Sequence, residues 1–369
     1  MDSLYLINMD FNPEDFEPIK NMVRDNAPFI APPTNIENIY CLEDFIHASN
    51  FGGITLKALV DNNVLTRAIS LAKGEEIAGN EESQRVLRLS CAIMCFFILS
   101  DFQLEPNIAI YEKASRTYHR NAQDELFYFR VADHIHPRLY ASLALGRINK
   151  LPNHTIEHAK NLVRRMQDDH IEKNFSKTLN SWKMNYLFVL KAAMIWKSDV
   201  HGLKRAQKFL EWMVQESFFN AVASIFILLF LSPSRLSKMI RGINSESRKK
   251  FSNGLRNCAW DLTYISEWSN FVRKSPKNAI WFLCSNDNVL KKIANCLFVD
   301  ARRSTNEVLT NLYKEFWGIS DGEKLVREYF VAEKYIKSNN GVRSSCLKSR
   351  FKKIDSMITN LEIEMGIKT

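Results

Sequence analysis

Apolar positions along this chain fall mostly three and four residues apart, the spacing of helices with one buried stripe. "PEDFEPIKNMV" predicts a short helix, followed by a loop-rich passage through "APPTN" to about residue 50. Residues 56–60 then read as a strand and 63–73 as a helix that ends before Gly74. "EESQRVLRLSCAIMCFFILS", 81–100, predicts a strongly apolar helix whose first turn is acidic, which suits the positive end of a helix dipole. Pro106 opens a further helix, "NIAIYEKASRTYHR". From 122 to 250 the pattern is helical nearly throughout, punctuated at Leu151-Pro152-Asn153, Ser198-Asp199 and Ser232-Pro233-Ser234. Strand character returns at 279–287 and at "CLFVDA", 296–301, before a helical tail broken by "KSNNGVRSSCLKSR". Strands on both sides of a long helical block predict one α/β domain, discontinuous in sequence, that carries a helical insertion.

Composition adds three constraints. A hydrophobic share of 46% and a charged share of 25% provide for a sizeable core and argue against general disorder. Seven cysteines without paired spacing, several inside apolar runs, read as free thiols of a reducing compartment. The acidic start lacks the features of a secretory signal, and the longest apolar run, "AVASIFILLFL", is too short to cross a bilayer as a helix. It reads as a buried core or interface helix, and the expected location is cytoplasmic, with no membrane partner.

Charge is spread unevenly. Residues 1–145 carry 12 basic and 20 acidic side chains, whereas residues 146–250 carry 19 basic and 8 acidic, more than the whole net charge of +9. A basic region joined to an acidic one suits a protein that handles polyanions, although lysine-rich solvated helix faces produce the same numbers.

Four carboxylates stand out against this pattern. "LVDNNVL" ends a strand on Asp61 at the start of a helix, a position that suits either an N-cap or a site at the edge of an open sheet. "LCSND" repeats the layout with Ser285 and Asp287. Asp261 falls on the stripe of Cys258, Leu262, Ile265 and Trp268, where an unpaired carboxylate is costly. Glu112 has Arg116 four residues on, the spacing of an ordinary helix ion pair.

In this order the four stretches resemble the motifs of the PIN-domain family of metal-dependent nucleases: "LVDNNVL" with Asp61, Asn63 and Leu65, "YEKAS" with Glu112, "AWDLTYI" with Asp261, and "LCSND" with Ser285 and Asp287. The likeness covers roughly residues 55–115 and 255–300, and its chief departure is the 148 residues between Glu112 and Asp261. The resemblance implies an α/β fold that is mostly α overall: a PIN-like core with a small parallel sheet flanked by helices (1–121 and 251–300), a basic helical insertion (122–250) and a helical extension (301–369). It further implies a ribonuclease in which Asp61, Glu112, Asp261 and Asp287 hold Mg²⁺ or Mn²⁺ and Asn63 and Ser285 orient them. Such hard cations prefer carboxylate oxygens, and a bound metal supplies hydroxide at neutral pH. The family also implies an RNA substrate and a toxin or defence role; an inhibitor or activator protein and a homo-oligomer are further candidate partners that the sequence does not reveal. Arg164, Arg165, Lys204, Arg205, Arg248, Lys249 and Lys250 are candidates for phosphate contacts.

Competing motifs carry less. "HTIEH", 154–158, has the spacing of one zinc-protease pattern but reads as a solvated helix face, and "DHIHPR" reads as loop histidines before a helix that starts at Pro137. "GISDGEK" lacks the spacing of a phosphate-binding loop. The rival to the nuclease is a non-catalytic helical scaffold for nucleic acid or protein, with the four acids serving as caps and ion pairs.

Overall fold

The computed structural model describes residues 2–34, 36, 38–116, 121–166, 174–234, 239–299, 303–338 and 351–367. Mostly helical, with one small mixed sheet, the chain divides into two compact units. Unit 1 comprises 1–178 and 270–287; unit 2 comprises 179–269 and 288–369. The segments expected as insertion (122–250) and returning core (251–300) are each shared between the units.

Unit 1 holds helices α1 (Asp2–Asn8), α2 (Pro13–Asn26), α3 (Leu42–Ile46), α4 (Asn62–Ala72), α5 (Glu81–Leu99), α6 (Asn107–Arg116), α7 (Ala122–Asp133), α8 (Pro137–Ala144) and α9 (Asn153–Met166), with a π-turn at His47–Phe51. Its strands are β1 (Phe29–Ile30), β2 (Thr55–Val60), β3 (Gln103–Glu105) and β4 (Ala279–Cys284), in the order β1-β4-β2-β3. β2 runs parallel to both β4 and β3, while β1 is antiparallel to β4, so the sheet is mixed where a parallel one was expected. β1 and β3 are too short, at two and three residues, to show an alternating pattern in the sequence.

Hydrophobic burial holds this sheet in place. α5 is buried from Leu89 to Leu99 except at Ile98, and its Phe96 and Phe97 meet Phe16, Phe29, Phe45 and Phe102. Phe282 of β4 joins them, 5.0 Å from Phe102 and 5.8 Å from Phe45, edge to face. Arg147 reaches back to the buried carboxylate of Asp15 on α2 in a bidentate pair, with one bond of 2.6 Å.

Unit 2 is helical: α10 (Asn180–Lys197), α11 (Leu203–Gln215), α12 (Ala221–Phe230), α13 (Arg248–Lys274, its last residues counted with unit 1), α14 (Asn288–Leu297), α15 (Thr305–Trp317), α16 (Ile319–Ser338) and α17 (Ile354–Glu364). α12 is the apolar run "AVASIFILLF", buried all round from Val222 onward, as a central core helix should be. Asn185 on α10 donates to Thr263 Oγ1 on α13 at 3.1 Å, and Trp317 donates its indole N–H to the Leu228 carbonyl at 3.1 Å. "CLFVDA" does not form the expected strand: Cys296 and Leu297 close α14, 298–299 are irregular, and 300–301 lie outside the described residues. Among the described residues no helix is long and apolar enough to cross a membrane. Their six cysteines are free thiols; the seventh, at 346, lies outside the described residues.

Candidate functional site at the strand ends of unit 1

The chain leaves β2 at Val60, which pairs with Cys284 at the end of β4. The next residue on each strand is polar. Asp61 N–H donates to the Cys284 carbonyl at 3.1 Å, and Ser285 Oγ donates to Asp61 Oδ2 at 2.7 Å. Asp61 is extended (φ −71°, ψ 162°) and caps α4: its Oδ1 accepts from the N–H of Asn63 at 3.0 Å and of Val64 at 3.1 Å. The sequence left cap and sheet-edge carboxylate as alternatives; the same side chain occupies both positions. Ser285 Oγ in turn accepts the Asp287 N–H at 3.1 Å, and Ser285 N–H donates to the Pro28 carbonyl beside β1. β2 has β3 on one side and β4 on the other, so its carboxyl end is the point where strand order reverses, the usual ligand position of open α/β sheets.

Electrostatics at this point are strained. Asp61 is 3% exposed, and burial raises its carboxyl above the usual range against the opposing hydrogen bonds from Ser285, Val64 and Asn63. A carboxylate offers about four lone-pair positions, and the Asn63 side chain adds a further hydrogen bond to the three from Ser285 Oγ and the Asn63 and Val64 N–H groups. Glu112, on α6, is 4% exposed and ion-paired with Arg116 one turn on. Thus the sequence-level alternative of an i,i+4 pair is realised, but with a buried acid.

Next to this edge, the first turns of α4 and the end of α6 enclose a cavity of about 370 Å³ lined by Asn62, Asn63, Thr66, Arg67, Lys113 and Arg116. Arg116 is held there by Glu112, and Lys113 pairs with Glu125 of α7, which also pairs with Lys73. Arg67 donates to the Asn63 carbonyl at 2.8 Å, and partial burial lowers its pKa, with the Asp61 charge opposing. A guanidinium nevertheless stays protonated, so its desolvation is relieved by an anion. Arg67 and Lys113 do not stand out as site residues in the sequence. Their signal was positional: Arg67 lies four residues after Asn63, and Lys113 directly follows Glu112. Nor does Glu105 at the end of β3; it accepts the Asn107 N–H at 2.9 Å and thereby starts α6.

Asp287 is half-buried at the end of unit 1. Asp261 belongs to unit 2 on α13; it is half-buried, whereas Cys258, Leu262, Ile265 and Trp268 are buried as the stripe predicted. Arg164 and Arg165 lie in the last turn of α9 in unit 1, and Lys204, Arg205, Arg248, Lys249 and Lys250 lie in unit 2. Among the described residues no group of three or more His, Cys, Asp or Glu side chains is placed to hold a metal ion. With Asp61 hydrogen-bonded to Ser285, Asn63 and Val64 and Glu112 paired with Arg116, the described donors as they stand do not form a Mg²⁺ or Mn²⁺ cage.

The histidine motifs resolve into structure. His154 and His158 are exposed on α9, where Glu157 pairs with Lys160 at 2.8 Å. His136 Nδ1 caps α8 by accepting the Arg138 N–H, and His134 Nδ1 sits 2.8 Å from the Arg130 carbonyl. No family model, curated protein or solved structure matches this chain.

Proposed function

We propose that unit 1 binds nucleic acid by its phosphates in the cleft at the carboxyl ends of its parallel strands. The observation that carries this reading is the convergence of Arg67, Lys113 and Arg116 with the amides of Asn62 and Asn63 and the hydroxyl of Thr66 around one cavity. Arginine and lysine neutralise phosphate, the Asn62 amide, oriented by the Thr66 hydroxyl that donates to its Oδ1 at 2.9 Å, offers its N–H groups, and neither contact depends on base sequence.

A second reading places hydrolysis at the same edge: a metal-dependent ribonuclease of PIN-like type. It is favoured by one specific relation, the Asp61 carboxylate bridged to Ser285 at the ends of adjacent parallel strands, with Asp287 two residues further on. Asp261 enters this reading from the motif resemblance alone. The described donors do not form a metal cage, so this reading rests on the carboxylate and hydroxyl at the strand ends.

Both readings are tested with labelled single-stranded RNA and the parent protein, Arg67→Ala, Lys113→Ala and Asp61→Asn, each in Mg²⁺, Mn²⁺ and EDTA. Phosphate binding in the cleft predicts weaker binding by the first two variants in all three conditions; parent-like affinity in both would overturn it. Ribonuclease action predicts cleavage by the parent that EDTA and Asp61→Asn both abolish. Binding without cleavage would leave the first reading standing and remove the second.

A further inference from the structure

Unit 2 carries a second cationic surface, remote in sequence from the cleft residues. Residues 196–205 and 239–251 contain seven lysines and arginines against two acids, Asp199 and Glu246. The fold gathers them around the carboxyl end of α10. Trp196 donates its indole N–H to Asn244 Oδ1 at 3.4 Å, which ties the turn before α13 to α10. Lys197 Nζ stands 3.7 Å over the ring of Phe251, and the Arg205 guanidinium stands 4.4 Å over Trp196. Gly242 and Gly254 draw the 241–242 backbone onto the first turns of α13: a Cβ at Gly242 would lie 3.1 Å from the Lys250 carbonyl oxygen, and one at Gly254 would lie 1.7 Å from that of Arg241.

Two features of this surface run against stability of the free protein. Arg248, Lys249 and Lys250 are all exposed in the first turn of α13, which has no acid, so three cations crowd the positive end of a helix dipole. Among the described residues, none of Lys197, Arg241, Arg248, Lys249 or Lys250 forms a salt bridge, and Arg248 donates its Nε–H to a neutral acceptor, the Ile367 carbonyl, at 2.9 Å. Paired charges elsewhere in unit 2, such as Lys183–Asp355 and Lys292–Glu315, show the ordinary arrangement. Cations that repel one another and a helix end are stabilised together by a single polyanion.

We propose that this surface is a second nucleic-acid site, which grips the sugar-phosphate backbone without reading bases. The inference extends the nucleic-acid reading of unit 1 but stands on different residues. Nucleic acid is the partner because backbone phosphates are closely and regularly spaced and match a run of fixed cations. Phe251 is buried and Arg205 stands over the half-buried Trp196, so the rings hold the cations in position.

The test uses the full chain, a short labelled RNA and the double variant Lys249→Glu, Lys250→Glu. Both side chains are exposed, and acids in a first turn favour the helix, so the variant retains its fold. RNA affinity is expected to fall roughly tenfold or more, and the slope of log K against log salt to flatten by about 1–2. Arg248→Ala provides a second, milder variant, expected to act in the same direction. Unchanged affinity and slope in both variants would overturn the proposal. So would a loss seen on phosphatidylserine vesicles but not on RNA, which would assign the surface to lipid headgroups. Loss of RNA binding in Arg67→Ala and Lys113→Ala alone refutes this site and leaves the cleft; loss in the unit 2 variants alone does the reverse.

Discussion

Ser285 Oγ donates to Asp61 Oδ2 at 2.7 Å, joining the ends of two adjacent strands across 224 positions of sequence. The bond satisfies a hydroxyl and half of a carboxylate that are both almost completely buried. The other carboxylate oxygen caps α4, so one side chain fixes a strand end, a helix start and a strand pair.

Neutralising that carboxylate should cost little, whereas deleting it should cost much. Asparagine retains an acceptor for the two capping N–H groups and removes a buried charge, and its amide donates to Ser285 Oγ in place of accepting from it, so the Ser285 proton alone must turn to a new acceptor. Asp61→Asn is therefore expected to unfold in urea within about 1 kcal/mol of the parent. Asp61→Ala strands two N–H groups and a hydroxyl and should lose about 2 kcal/mol or more. Equal losses in both variants would remove the capping account.

Glu112→Gln separates binding from hydrolysis. The buried acid holds Arg116 beside the cavity, and its neutral isostere raises the cleft's net charge by one. RNA affinity, measured by anisotropy, should rise a few-fold and show a steeper salt dependence. If the chain is a ribonuclease, the same variant should bind more tightly yet cleave more slowly.

Acid should unlock α2. The hydrogen bonds from Arg147 hold the Asp15 carboxyl below the usual carboxylate range, with the nearby positive charges of Arg147 and Arg138 adding to the effect against burial. A lowered folded-state pKa stabilises at pH values above the unfolded pKa of about 4, and that stability is lost as pH falls through the lowered value. Asp15→Asn should therefore be less stable than the parent at neutral pH, and the gap in thermal midpoint should close in strong acid. A gap that persists unchanged at low pH would mean that packing, not charge, holds this contact.

Gly254→Ala should destabilise unit 2 even though alanine is the better helix former. The added methyl would sit 1.7 Å from the Arg241 carbonyl oxygen, a backbone atom that moves only with its whole turn. Overpacking of this kind costs about 1–3 kcal/mol, more than the roughly 1 kcal/mol that helix propensity returns. A parent-like midpoint in thermal unfolding would show that the turn before α13 yields freely.

Much of the local structure was legible in the sequence. β2, α4 and α5 begin and end within a residue or two of the expected bounds, because apolar runs, an Asp-Asn-Asn start and a Gly stop act over short distances. The stripe of Cys258, Leu262, Ile265 and Trp268 is buried as its spacing predicted, but Asp261, one position from Leu262, lies half-exposed beside it. β1 and β3 were not legible, because two or three residues of backbone pairing leave no period to detect. Nor were Arg67 and Lys113, ordinary cations on helix faces until the fold sets α4 and α6 around one cavity.

By itself, then, the sequence determined which segments are helical, where the two longer strands run, that Asp61 and Ser285 follow their ends, and that positive charge collects between residues 146 and 250. Those properties depend on neighbours a few positions away. Tertiary structure alone decided that β4 lies against β2, that the edge strand β1 runs antiparallel, that Ser285 meets Asp61, and that Lys197 and Arg205 share a surface with the start of α13. Each of these joins residues dozens to hundreds of positions apart, and their pairing is selected by shared burial and by hydrogen bonds that exist only once the chain has closed on itself.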